Sequence, residues 1–137
     1  MIARRVTPIL NVSDAEASVT WFLGWGWTAG FRWGEPFSFG SVYAGDVEVF
    51  LCLDGQGGRG KGENATTFGA AADERADRGA WMSLWVDDVD AIHRTCLAGD
   101  IEITHPPTDM PWGVREMHVR HPDGHVFRVT QPLVAER

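Results

Sequence analysis

Glu116, His118 and Arg128 are the residues of this chain whose types and spacing point most directly to chemistry. They lie in the run Pro111 to Val129, PWGVREMHVRHPDGHVFRV, which reads as strand, tight turn, strand. Side chains alternate along a strand, so Glu116 and His118 share one face while Met117 and Val119 take the apolar one. By the same rule Arg128 stands with Val126 and Thr130, opposite Phe127 and Val129. A carboxylate beside an imidazole can act as general acid and base. A guanidinium on the same surface can bind an anion or neutralise a carboxylate within the site.

Other reactive residue types carry weaker signals. His121 and His125 flank the turn with no third metal donor adjacent, and are expected to play surface or turn roles. His93 falls on a helix and His105 precedes two prolines; both are expected to be exposed or structural. No Ser-His-Asp or Cys-His set can be assembled. The run GQGGRGKGEN lacks the GxxxxGK[ST] spacing and following apolar helix of a phosphate loop. Cys52 and Cys96 have no metal-type spacing and read as reduced core residues.

The bulk properties narrow the function classes. A chain of 137 residues fits one domain, or two small modules fused, and 44% apolar residues supply a core. The charge of −7 argues against nucleic acid and is compatible with a cationic small molecule. No stretch approaches the roughly 18 apolar residues of a membrane span, and MIARRVTPIL is too short a run for a secretory signal. A soluble, cytoplasmic protein with no membrane partner is therefore expected. Seven tryptophans are many for a small core, because each indole N–H needs a partner, so some are expected at a pocket or interface.

These side chains must be positioned by a repeated pattern. Val6 to Val12 reads as a strand, Ser13 or Asp14 caps a helix to about Leu23, and Gly24 closes it at C′. Trp27 to Trp33, Phe37 to Tyr43 and Val47 to Leu53 follow as strands, turning at Gly34-Glu35-Pro36 and Ala44-Gly45-Asp46. After a Gly-, Ala- and charge-rich connector the pattern returns. Ala80 to Val86 is a strand, Asp87 caps a helix to about Ala98, and Ile101 to Thr104, Val114 to Arg120 and His125 to Gln131 are strands. Within the connector, Ala70 to Arg78 has the composition of a short helical turn. The order is βαβββ twice: module one 1–53, connector 54–79, module two 80–131, in one domain spanning 1–137. The halves align, Leu10 with Leu84, Val12 with Val86 and Asp14 with Asp88. Two such units side by side form a cup-shaped mixed sheet of α+β class, a natural ligand site. Alternation aims Thr7, Ile9 and Asn11, then Glu48, Phe50 and Cys52, then Trp81, Ser83 and Trp85 into the cup.

The duplicated βαβββ pattern, the Asp-capped helices and the PDGH turn resemble the vicinal oxygen chelate superfamily, which includes glyoxalase I, extradiol dioxygenases, fosfomycin-resistance enzymes and bleomycin-resistance proteins. The resemblance covers nearly the whole chain. Its strongest local match is PWGVREMHVRHPDG, similar to the PWG-REF-x-x-R-DP-x-G run of bleomycin-resistance proteins, with Val114 extra and His121 where that run has Asp.

The resemblance implies a metal ligand on each of four strands, at positions that here hold Thr7, about Phe50, Trp81 and Arg128. None is His, Glu or Asp, and a divalent ion needs several such donors held together. A guanidinium about 4 Å from a dication costs on the order of 8 kcal/mol at an effective dielectric near 20. No metal and no other cofactor is expected. Glu48 lies close to the expected position and would otherwise have to join Glu116 and His118 in an unusual site.

The expected ligand site is Thr7, Glu48, Phe50, Trp81, Trp112, Glu116, His118 and Arg128. Trp112 joins through the resemblance, which places the matching tryptophan near the drug groove. Trp33 and Phe37 flank a turn and suit a rim or subunit contact; Trp21, Trp25 and Trp27 suit the core or an interface. The function expected is metal-free sequestration of an aromatic or cationic compound, such as an antibiotic, by a homodimer. Two other readings stay open. One is an enzyme of the same superfamily, of lyase or isomerase type, with a displaced or absent metal and Glu48, Glu116 or His118 as acid or base. The other is a regulatory partner whose exposed aromatics bind a protein.

Overall fold

The computed structural model describes residues 1–53 and 79–134. Module one is β1 (Ile9–Val12), α1 (Ala15–Leu23), β2 (Thr28–Trp33), β3 (Phe39–Ala44) and β4 (Val47–Leu53); module two is β5 (Trp81–Trp85), α2 (Val89–Ala98), β6 (Ile103–Met110), β7 (Val114–Arg120) and β8 (Val126–Pro132). The strands form two four-stranded sheets, ordered β1-β4-β3-β2 and β5-β8-β7-β6. In each, the first strand runs parallel to the last and the other pairs are antiparallel. This is the α+β architecture expected of a βαβββ duplication, with no closed barrel. The suggested helical turn at 70–78 lies outside the described residues.

Both helices begin on an aspartate whose side chain accepts the backbone N–H three residues on: Asp14 from Ala17 at 3.0 Å and Asp88 from Ala91 at 3.1 Å. Asp88, not the expected Asp87, is the second cap. Asp14→Ala and Asp88→Ala should each lower stability by about 1 kcal/mol, read as a shift in the urea unfolding midpoint. Gly24 ends α1 in a right-handed conformation, φ −66°, and the left-handed turn expected there falls at Gly26, φ +104°.

β6 departs most from expectation. Its prolines, Pro106 and Pro107, argue for an early end, yet the strand runs on to Met110. It is an edge strand whose pairing with β7 shifts register between His105 and Thr108, where missing N–H groups cost least.

The helix-covered faces of the two sheets share one core. Phe127 of β8 meets Phe22, Trp25 and Trp27 of module one edge-on or tilted, with centroids 5.5–5.7 Å apart. Trp25 and Trp27 are 4% exposed, as expected for core residues, although the Trp25 indole N–H finds no hydrogen-bond partner. Cys96 is also buried, which pushes its thiol up to about 11 and makes it a poor nucleophile.

His121 and His125 do brace the turn, as expected, but not at the surface: both are 1% exposed and join the modules. His125 accepts the Ala80 N–H at Nδ1 (2.9 Å), and its Nε2–H donates to the Asn11 carbonyl in β1 (2.7 Å). His121 accepts the Asp123 N–H at Nδ1 (2.9 Å), leaving Nε2–H for Ser18 Oγ of α1 (3.1 Å). Asp123 in turn accepts the Ser13 N–H and hydroxyl at 2.9 and 2.7 Å. The PDGH turn thus supplies the hydrogen-bonded part of the inter-module contact.

Candidate functional site

With one face of each sheet in the shared core, the opposite face is open. On sheet two the register aligns Ser83, Arg128, His118 and His105 in one cross-strand row, and Trp85, Thr130, Glu116 and Thr108 in the next. Trp81 and Trp85 flank the first row from β5. Three indoles stand exposed beside these rows: Trp81, Trp85 and Trp112 are 71%, 59% and 60% exposed.

Beneath the indoles sits Glu116, 1% exposed. It accepts two hydrogen bonds from Arg128, Nε at 3.1 Å and Nη2 at 3.0 Å, in a bidentate pair. It also accepts the Trp112 Nε1–H at 3.1 Å and lies 2.6 Å from His118 Nε2. Burial pushes the carboxyl up, but the bonds from Arg128, His118 and Trp112 together hold it down at about 2. Glu116 is therefore ionised, fully partnered and under the surface. Arg128 lies 5.5 Å from the Trp81 ring centroid, and the His105 ring packs at 4.8 Å on His118.

Sheet one presents a different surface. Phe31, Phe39 and Phe50 form a triad with centroids 5.4–5.8 Å apart. Ile9 pairs beside Phe50 and Glu48 opposite Tyr43, with Arg5 Nη2 3.9 Å from the Glu48 carboxylate. Thr7 precedes the first strand and is half-buried. Of the eight expected site residues, Trp81, Trp112, Glu116, His118 and Arg128 come together on sheet two, while Thr7, Glu48 and Phe50 belong to sheet one. Among the described residues no hydrogen bond, ion pair or ring contact joins the two groups. Phe31, Phe39 and His105 extend the expected set. A bulge between Ala29 and Arg32 hid the face of Phe31, since one extra residue reverses the alternation after it.

The donor set does not suit a metal. Arg128 is neutralised by Glu116, and the Glu116 carboxylate, 1% exposed, is already engaged by Arg128, His118 and Trp112. Among the described residues no three His, Cys, Asp or Glu side chains gather as a metal would need.

The family model for the glyoxalase/bleomycin resistance protein/dioxygenase superfamily matches residues 4–129. The chain belongs to this superfamily. Solved structures share the fold. The bleomycin resistance determinant encoded on transposon Tn5 is 19% identical at a TM-score of 0.69, covering 96% of this chain and all (100%) of its own. TioX from Micromonospora sp. ML1 is 22% identical at 0.72, with coverages of 96% and 100%. A bleomycin-binding protein solved with bleomycin is 19% identical at 0.67, with coverages of 94% and 98%. No curated protein sequence matches the chain. Among the described residues no helix is long and apolar enough to cross a membrane.

Proposed function

We propose that this superfamily member is a metal-free binding protein that sequesters a planar aromatic or cationic compound, an antibiotic among the candidates, in the cytoplasm. The observation that carries this reading is the open face of sheet two, where three exposed indoles surround polar groups that are already paired. Exposed tryptophans on a rigid sheet offer stacking area at little entropic cost. The ligand stacks on Trp81, Trp85 and Trp112 of one copy. Phe31, Phe39 and Phe50 of a second copy close the other side, so the working unit is a homodimer. The structural neighbour solved with bleomycin supports the ligand class.

Tryptophan fluorescence is the direct probe, because the proposed stacking surface is itself indole. Bleomycin or another planar antibiotic should quench it at low micromolar concentration, with a dimer mass by light scattering. No quenching by any compound tried up to high micromolar concentration, or a monomeric mass with undiminished binding, would contradict the reading.

The His118–Glu116 contact supports a second reading, since a carboxylate-oriented imidazole is a general-base arrangement. Turnover abolished by His118→Asn with ligand affinity unchanged would favour an enzyme.

A further inference from the structure

The binding surface on sheet two has an unusual electrostatic construction. Its cation, Arg128, is 27% exposed, whereas the anion that cancels it is 1% exposed and sits below. The same carboxylate fixes the Trp112 indole through Nε1 and, through Arg128, the polar neighbour of the Trp81 ring. Trp112 lies in the loop before β7, so its pose depends on this bond. Removing Glu116 would therefore change two properties at once: the pose of an exposed indole and the net charge felt by a ligand.

We infer that Glu116 is a positioning residue that sets the charge selectivity of the stacking surface, making it a site for planar ligands without net negative charge. Its carboxylate never needs to touch the ligand. It holds Arg128 as half of a neutral pair, so the surface presents aromatic rings over a cancelled charge and gives a ligand anion no uncompensated guanidinium. Loss of Glu116 converts Arg128 into a free cation among indoles, the usual construction for a planar anion. The inference rests on the ligand-binding reading above, and its consequence is a reversal of ligand sign, which a merely structural carboxylate would not produce.

Two planar probes of opposite charge read this out: ethidium as the cation and 8-anilinonaphthalene-1-sulfonate as the anion. The ratio of their dissociation constants is compared between the wild-type protein and three variants. Glu116→Gln keeps the shape and should shift the ratio about tenfold toward the anion, the order of magnitude of one uncancelled charge at the site. Arg128→Gln should shift it toward the cation. The double variant Glu116→Gln/Arg128→Gln restores neutrality and should return to the wild-type ratio. Each ratio is internal to one protein and is read only on variants that a urea unfolding curve shows to be folded, because the anionic probe also binds loosened states. If Glu116→Gln fails to fold, Arg128→Gln and the double variant still carry the comparison. The inference is overturned if the two single variants move the ratio the same way, if neither moves it, or if the double variant does not return. If the wild type binds neither probe, the binding reading itself fails, and the inference with it.

Discussion

His125→Ala is expected to destabilise the protein by about 3 kcal/mol. The ring is 1% exposed and holds the Ala80 N–H and the Asn11 carbonyl together across the module boundary. Alanine leaves a cavity and strands both backbone groups, two penalties that fall at the same point. Against a total stability of roughly 5–15 kcal/mol, such a loss is large. Urea unfolding of the two proteins at neutral pH measures it, and a loss below about 1 kcal/mol would show that the ring is not a joint.

The same geometry gives a pH dependence of definite sign. Each ring accepts an N–H at Nδ1, so a proton there would face a donor. Burial, reinforced by the neighbouring His125, pushes His121 down to about 4, against the weaker pull of Asp123. Burial also lowers His125, opposed by its bond to the Asn11 backbone and by Asp123. The native rings stay neutral where unfolded ones take up protons. Stability is therefore full above the ordinary value of 6.5 and is lost as pH falls from there toward 4. For His121 alone the loss is on the order of 3 kcal/mol. Unfolding midpoints between pH 8 and pH 4 should fall for the wild type. The fall should be shallower in His125→Ala, which has one such ring fewer.

Arg128→Ala is the second large effect, expected to cost about 3 kcal/mol. It leaves Glu116, 1% exposed, with a buried charge and no guanidinium. In the wild type Glu116 is held at about 2, so its contribution is present above the usual carboxylate value of 4.5 and lost as pH falls through 2. In the variant the carboxyl protonates more readily, so the difference between the proteins should narrow as pH is lowered. A difference independent of pH would mean that Arg128 stabilises by packing alone.

These two clusters also mark how far the sequence could be read. β4 and β7 begin and end where alternation places them, at Val47–Leu53 and Val114–Arg120, because clean period-two patterns mark a strand with one covered face. Alternation alone put Glu116, His118 and Arg128 on one face, where the structure pairs them. It could not show that Glu116 is covered, because the cover is Trp112 from a loop and Arg128 from a neighbouring strand. The burial of His121 and His125 was hidden for the same reason: their partners, Ser18 and Asn11, lie in the other module. β6 was cut short because proline forbids a central strand and sequence does not reveal which strand is an edge. Phe31 was lost to a bulge. In each case the missing information was a contact or pairing in three dimensions that the side-chain pattern of a single strand does not carry.

The most direct test is a tryptophan-fluorescence titration with bleomycin and other planar antibiotics, run on the protein before and after exhaustive chelator dialysis. Quenching to the same dissociation constant in both samples is expected, because Glu116 is already engaged by Arg128, His118 and Trp112 and, among the described residues, no three His, Cys, Asp or Glu side chains gather as a metal would need. Binding that disappears on chelation and returns with Zn, Ni, Mn or Fe would contradict a metal-free stacking site, as would the absence of quenching in both samples.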